Sequence, residues 1–143
     1  MKTIQLTLAL TMLASLVGAV EIPSEDFSAV AEKLVEAYNE VDPEAVKALL
    51  DESAFFRILE ENDITVEEWP TVWSEHTRYY HDQVGKIESH HLEELDPPDG
   101  AFLTLHHEHG ASELFVVLNE EGQATELNMR PVGQHSCSSA AAN

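Results

Sequence analysis

Cysteine is almost absent from this chain of 143 residues, since Cys137 is the only one. A single cysteine cannot close an intrachain disulfide, so the fold cannot depend on such a bridge. We expect Cys137 to be a free thiol, with a link between two chains as the alternative. It lies in the small, polar ending HSCSSAAAN and is therefore a poor candidate for a nucleophile.

Basic residues are also scarce, with 7 Lys and Arg against 27 Asp and Glu and a formal net charge of −20. The few basic residues are scattered singly, whereas binding to a phosphate backbone needs clusters of them. We therefore expect no nucleic-acid partner and no attraction to an anionic membrane. The acidic excess favours solubility, or a cation-rich environment, over a specific activity.

Long apolar runs are missing except at the start. Lys2 precedes an apolar run from Ile4 to Val17, and the small residues that follow suit a signal peptidase. The run is shorter than the roughly 20 residues that span a bilayer. The sequence therefore predicts a signal peptide over residues 1–19, no membrane segment after its cleavage, and a secreted or periplasmic protein.

The remaining chain is predicted to form one domain over residues 20–132 and a disordered tail over 133–143. Its first part has helical periodicity: Phe27, Val30, Leu34 and Tyr38 fall on one stripe. Asp42-Pro43 marks a corner and the start of a second helix.

Two further stretches precede the strands. Residues 51–62 fit a buried helical turn and a short strand equally well. Thr65 to Glu68 is a capping-box pattern before a helix that ends at Gly85, and Pro70 must kink or restart that helix.

The C-terminal part has strand signals. Residues 86–95 alternate, residues 96–100 (DPPDG) form a turn, and residues 101–131 read as an antiparallel meander ended by Pro131. Helices first and strands afterwards indicate an α+β fold, with N-terminal helices packed on an antiparallel sheet of about four strands.

These elements resemble the nuclear-transport-factor-2-like superfamily, the SnoaL-like or cystatin-like α+β cones. The features that carry the resemblance are a long helix ending in YNEVDPEAV, a helix that reaches Val84-Gly85, and the strands ELFVVL and QATELNMR. The sequence is similar to small secreted members over residues 25–132. The resemblance implies a curved sheet that leaves a pocket at its wide end, and dimerisation through the outer sheet face. It assigns no catalytic residue.

Three sets of residues could carry chemistry. The first is an aromatic stripe at helical spacing: Trp69, Trp73, His76 and Tyr80. It could line an apolar pocket with two polar tips, together with Tyr38, or it could pack into the core. The two interpretations overlap, because in a cone fold the core face of this helix also borders the pocket.

The second set is the histidine-rich run His106 to His109. His107 and His109 alternate onto one face, and with His91 they could hold a zinc ion. The alternative, which we favour, is that these histidines lie at a solvated strand end and that the protein holds no metal.

The third set is a histidine–carboxylate pair for acid–base chemistry. His76 or His106 could act as the base, next to Glu108 or Glu113. No phosphate loop, dinucleotide fingerprint, nucleophile elbow or HExxH motif is present in the sequence.

The expected function is therefore a non-catalytic domain that binds a small molecule or a second copy of itself. For the second copy, either Phe115 and Val117, or Leu114, Val116 and Leu118, could supply an apolar patch. The alternative is a small hydrolase, lyase or isomerase that uses a pocket histidine or a bound zinc ion.

Overall fold

A computed structural model describes residues 21–132. The predicted signal peptide, the predicted tail and Cys137 lie outside the described residues, so those expectations stay predictions. None of the helices within residues 21–132 is long and apolar enough to cross a membrane.

Four helices open the described part of the chain. They are α1 (Ser24–Glu40), α2 (Pro43–Leu49), α3 (Glu52–Asn62) and α4 (Trp69–Val84). The stretch 51–62, for which helix and strand were both open, thus forms helix α3, with Asp51 as its N-cap.

Local capping explains where these helices begin. The Asp42 carboxylate accepts a hydrogen bond from the backbone N–H of Ala45, and Pro43 occupies the first position of α2. Before α4, Thr65 and Glu68 form the reciprocal bonds of a capping box, at 2.9 and 3.2 Å. Pro70 falls in the first turn of α4, where its missing N–H breaks no helical bond, so the helix runs on without a break.

Four strands follow and pair antiparallel in chain order. They are β1 (Ile87–Asp96), β2 (Gly100–His107), β3 (Gly110–Leu118) and β4 (Ala124–Pro131). The predicted meander and the α+β class are confirmed. Consecutive hairpins leave β1 and β4 as the two edges of the sheet.

One face of the sheet packs against the helices and forms the core. Strand alternation sends Leu103, Leu105, Leu114 and Val116 inward, and each has no exposed surface. They meet Phe27, Leu34 and Tyr38 from α1, together with residues of α2 and α3.

The apolar side chains on the opposite face of the sheet are half-buried. Phe102 and Phe115 pair across β2 and β3 with ring centroids 4.7 Å apart, and Val117 lies beside them. Of the two patches considered for dimerisation, Leu114, Val116 and Leu118 are buried in the core and are not free for a partner. Dimerisation through Phe115 and Val117 stays a prediction.

Candidate functional site

A cavity of about 850 Å³ lies between the helices and the β3–β4 side of the sheet. Its volume falls within the range typical of small-molecule sites. Just over half of the lining residues are apolar or aromatic: Leu34, Tyr38, Val46, Leu50, Ile58, Ile64, Trp69, Val72, Trp73, Leu114, Leu127 and Met129. Polar residues, most of them exposed, line the remainder: Arg57, Glu61, Asn62, His76, Thr77, Tyr80, Thr125, Glu126 and Asn128.

Helix α4 supplies one wall through the aromatic stripe. Trp69 is buried, packs edge-on against Phe55 at 5.2 Å, and donates its indole N–H to the Pro43 carbonyl at 3.2 Å. Trp73 is half-buried with its ring 6.3 Å from that of Trp69, and His76 is exposed. The stripe is therefore buried at Trp69, exposed at His76 and half-buried again at Tyr80, whose hydroxyl is buried.

Strand β4 supplies the facing wall. Leu127 and Met129 point to the same side as the core residues Val116 and Leu114, their partners across the ladder. Both are half-buried and pack against the edge of the core. Arg57 of α3 closes one side of the opening by donating to the Thr125 carbonyl at 2.6 Å.

The structure places the predicted pocket residues in two groups. Tyr38 and the stripe on α4 all line the cavity. His106 and Glu108 do not, because His106 alternates onto the outer face and Glu108 lies beyond the end of β2. Glu108 instead accepts a hydrogen bond from the backbone N–H of Lys86 at 2.8 Å.

A buried hydrogen-bonded network closes the inner end of the cavity. The Tyr38 hydroxyl and His107 Nδ1 both lie 2.9 Å from the Gly85 carbonyl oxygen, and His107 Nε2 lies 2.8 Å from the Ser112 hydroxyl. Gly85 has a φ of 84°, and a Cβ there would come within 2.8 Å of Glu108. Glycine is therefore required where the backbone turns its carbonyl toward this network.

The network fixes the tautomer of His107. A carbonyl oxygen can only accept, so Nδ1 carries the proton and donates it to Gly85. Burial lowers the pKa of His107, an effect that the Gly85 hydrogen bond opposes and that His81 and His106 reinforce. In the neutral ring Nε2 is an acceptor, so Ser112 donates its hydroxyl proton to it. Tyr38 Oη is 3.5 Å from Nδ1, and its proton goes to the Gly85 carbonyl instead.

Tyr80 adds one unpaired polar atom beside this network. Its ring lies 6.0 Å from that of His107, and its hydroxyl oxygen is buried without a hydrogen-bond partner within residues 21–132. Burial raises the pKa of Tyr80, while the neighbouring Ser112 hydroxyl acts in the opposite direction. Burial and then the nearby Tyr80 raise the pKa of Tyr38. Both phenols stay neutral at physiological pH.

Ser112 and His107 have the bonding pattern of a nucleophile and its base, with the Gly85 carbonyl in the orienting position. Nucleophilic attack also needs access to a substrate atom. Ser112 has no exposed surface and His107 is 5% exposed, and neither lines the cavity. The pair therefore orders the core and offers no reachable nucleophile.

The three histidines of the zinc alternative do not come together. His107 is held by Gly85 and Ser112, His109 lies in the turn after β2, and His91 is exposed on β1 opposite Thr104. In the part of the chain that the structure describes, no group of three or more possible metal ligands gathers.

The comparisons with known proteins add no relative to this geometry. No protein-family model, no curated protein and no solved structure matches this chain. The site must therefore be interpreted from its own chemistry.

Several cavity residues were not among the sequence candidates. Arg57, Thr125, Leu127 and Met129 line the opening, and Thr77 is buried in its wall. The segment ATELNMR did indicate which face of β4 is apolar, since Leu127 and Met129 are its only large apolar residues. Nothing in the sequence showed that these two side chains would stay half-exposed.

Proposed function

We propose that this chain is a non-catalytic binding domain whose cavity holds a small, largely apolar ligand. One observation carries the proposal: an 850 Å³ cavity whose wall contains two tryptophans and whose opening leaves apolar residues of β4 uncovered. A soluble domain gains nothing in stability from keeping such surface in contact with water.

The lining also indicates what the ligand is like. Aromatic faces from Trp69, Trp73 and Tyr80 favour a flat or branched apolar body. At the opening, the carboxylate of Glu61 lies 3.9 Å from Arg57, which already donates to Thr125. Because the only cation of the lining is engaged and the chain is strongly acidic, a neutral or cationic ligand fits better than an anionic one.

The alternative of a pocket enzyme has less support. His76 is the only histidine of the lining, and no described carboxylate forms a hydrogen bond or ion pair with it. A general base needs an orienting partner or a tuned environment. Binding without catalysis is therefore the function that the described groups support best.

The proposal is tested with the neutral dye N-phenyl-1-naphthylamine, whose fluorescence rises in apolar surroundings. Leu127→Trp would fill the cavity from β4, and Val117→Trp would place the same ring on the outer face of the sheet. Strands tolerate tryptophan, so both variants should fold. We expect saturable binding to the native protein and to Val117→Trp, and at least tenfold weaker binding to Leu127→Trp.

Two outcomes would overturn the proposal. One is the absence of saturable binding by the native protein. The other is equal binding by both tryptophan variants, which would place the dye outside the cavity. Circular dichroism of each variant confirms that the fold is intact before binding is compared.

We further propose that the chain is an exported member of the nuclear-transport-factor-2-like superfamily. The order of four helices and a four-stranded antiparallel meander is compatible with that superfamily. A cavity between the helices and the sheet supports the same assignment. Export is tested by N-terminal sequencing of the protein recovered from its native host, which should begin near residue 20.

A further inference from the structure

The cavity reaches the backbone of β4 as well as its side chains. Five consecutive residues of this strand line it: Thr125, Glu126, Leu127, Asn128 and Met129. Side chains alternate between the two faces of a strand, so a cavity on one face can contact five in a row only along the strand edge. β4 is an edge strand. Its outer edge is occupied at the first two residues, where Asp51 donates to the Ala124 carbonyl and Arg57 to the Thr125 carbonyl, and has no described partner from Leu127 to Met129.

The register shows which backbone groups point outward. In an antiparallel ladder a residue directs both its N–H and its C=O to the same side, and successive residues alternate. Val132 donates its N–H to the Ala111 carbonyl at 2.9 Å, so it faces β3. Pro131, which has no N–H, therefore faces the free edge, where a proline costs the ladder nothing.

Applying this alternation to the earlier residues of β4 shows which backbone N–H and C=O groups point away from β3. Met129 and Leu127 face outward with Pro131, and Arg130 and Asn128 face β3. The same alternation applies to β3: because Ala111 faces β4, Leu118 must face β2. Its N–H does donate on that side, to the Asp99 carbonyl at 3.0 Å. Thr125, whose carbonyl accepts from Arg57, is the extra residue of a bulge, so the strict alternation applies only from Glu126 onward. Within residues 21–132, no partner bonds the outward groups of Leu127 and Met129.

Leu127 and Met129 could thus contact a ligand both through their side chains and through their backbone groups. Their side chains point into the apolar cavity, and their N–H and C=O groups are free for a further strand. A peptide strand laid along this edge would satisfy those backbone groups, and alternate side chains would enter the cavity beside Trp73. A ligand without amides would leave the edge unpaired.

We propose that the cavity ligand is a short extended peptide that adds to β4 as a fifth strand, with apolar side chains in the cavity and basic side chains toward solvent. This inference rests on the proposed binding function and names the class of its ligand. The basic character follows from charge complementarity, since the chain carries a net charge of −20. The two arginines near this edge, Arg57 and Arg130, are each paired with a glutamate, whereas Glu126 of β4 forms no ion pair with a described residue.

The probe is acetyl-Lys-Val-Lys-Val-Lys-amide, measured by calorimetry with 150 mM salt present to suppress non-specific attraction. In an antiparallel arrangement its valines lie opposite Met129 and Leu127 and exchange both hydrogen bonds with them. The control probe carries N-methyl groups on both valines. It keeps the charge and the side chains but cannot donate to the edge.

Two variants of one residue isolate the backbone bond. Met129→Ala removes the side chain and keeps the N–H, and Met129→Pro removes the N–H as well. Because this N–H does not bond β3, both variants should keep the fold, as circular dichroism would verify. We expect Met129→Pro to bind the peptide at least tenfold more weakly than Met129→Ala does, and the native protein to show a similar loss with the N-methylated probe.

Amide hydrogen exchange gives an independent readout. The amides of Leu127 and Met129 should exchange fast in the free protein and slow at least tenfold with the peptide, whereas Asn128 should be slow in both states. Slow exchange of Leu127 in the free protein would overturn the inference, because another segment would already occupy the edge. Equal binding by Met129→Ala and Met129→Pro, or by the two probes, would also overturn it.

Failure of this inference is distinguishable from failure of the proposed function. If N-phenyl-1-naphthylamine binds in the cavity and the peptide does not, the binding domain stands and the peptide class is wrong. If neither probe binds, the proposed function itself fails.

Discussion

The inner end of the cavity and its opening are built in opposite ways. At the inner end, His107, Ser112 and Tyr38 are nearly fully buried, and each is hydrogen-bonded within the fold. At the opening, Trp73 and Met129 are half-buried, and the outward backbone groups of Leu127 and Met129 have no partner within residues 21–132.

The difference separates residues that hold the fold from residues that are free to bind. A buried polar group without a partner costs about 1–3 kcal/mol, so a satisfied network specifies one arrangement of α1, β2 and β3. Uncovered apolar surface at the opening contributes little to stability. Substitutions at the two ends should therefore affect different properties.

The largest effect on stability is expected at the inner end. His107→Ala removes a buried ring and leaves the Ser112 hydroxyl without its acceptor, so the free energy of unfolding should fall by about 2–4 kcal/mol. Ser112→Ala should cost about 1–2 kcal/mol by leaving Nε2 unpaired. His106→Ala, on the exposed face of the same strand, is the matched control. It should change the free energy of unfolding by less than about 0.5 kcal/mol. Urea denaturation measures all three, and equal losses at His106 and His107 would contradict the account.

A second test uses acidity to perturb the same network. The pKa of His107 is lowered in the folded protein, whereas in the unfolded chain it is about 6.5. Below that pH the unfolded state binds the proton first. This histidine therefore contributes its full stability above about pH 6.5 and loses up to about 1.4 kcal/mol per pH unit as the pH falls.

Carboxylates and the other histidines also titrate, so the native protein must be compared with a variant. In His107→Gln the titrating group is gone and the side chain stays polar. Between pH 7 and pH 5.5 the native protein should lose more stability than the variant. Parallel curves would show that His107 is not held neutral by burial.

The smallest effect on stability is expected at the opening. Arg57 is exposed, its hydrogen bond to Thr125 reaches across the surface, and its ion pair with Glu61 is 3.9 Å long. Exposed pairs of this kind contribute at most about 1 kcal/mol. Arg57→Gln should therefore lower the free energy of unfolding by less than about 1 kcal/mol. Arg78→Gln, at an exposed position of α4, is the control. A loss above about 2 kcal/mol would mean that the opening also holds the fold.

Much of the fold could be predicted because local patterns determine it. Prolines and capping residues set the helix starts at Pro43 and Trp69, and strand alternation sent Leu103 and Leu105 inward. Residues 51–62 could not be decided, since a short apolar run satisfies both a helix and a strand. Tertiary contact with β4, through Arg57 and Asp51, favours the helix.

The candidate site was harder to predict, because it depends on which side chains the packed helices and strands leave exposed. Helical periodicity placed Trp69, Trp73, His76 and Tyr80 on one face, and that face lines the cavity. His106 and Glu108 do not line that cavity, because a histidine-rich run suggests a site without indicating which face of the sheet it lies on. The role of His107 depends on Gly85 and Ser112, which are distant in sequence or unremarkable in type.

The central claim is that the space between α4 and β4 is the binding site. Its most direct test is a two-dimensional NMR titration of the isotope-labelled protein with N-phenyl-1-naphthylamine. The account predicts that the largest shift changes fall on the Trp69 and Trp73 indoles and on Leu127 and Met129. Shift changes centred on Phe102 and Phe115, on the other face of the sheet, would contradict it.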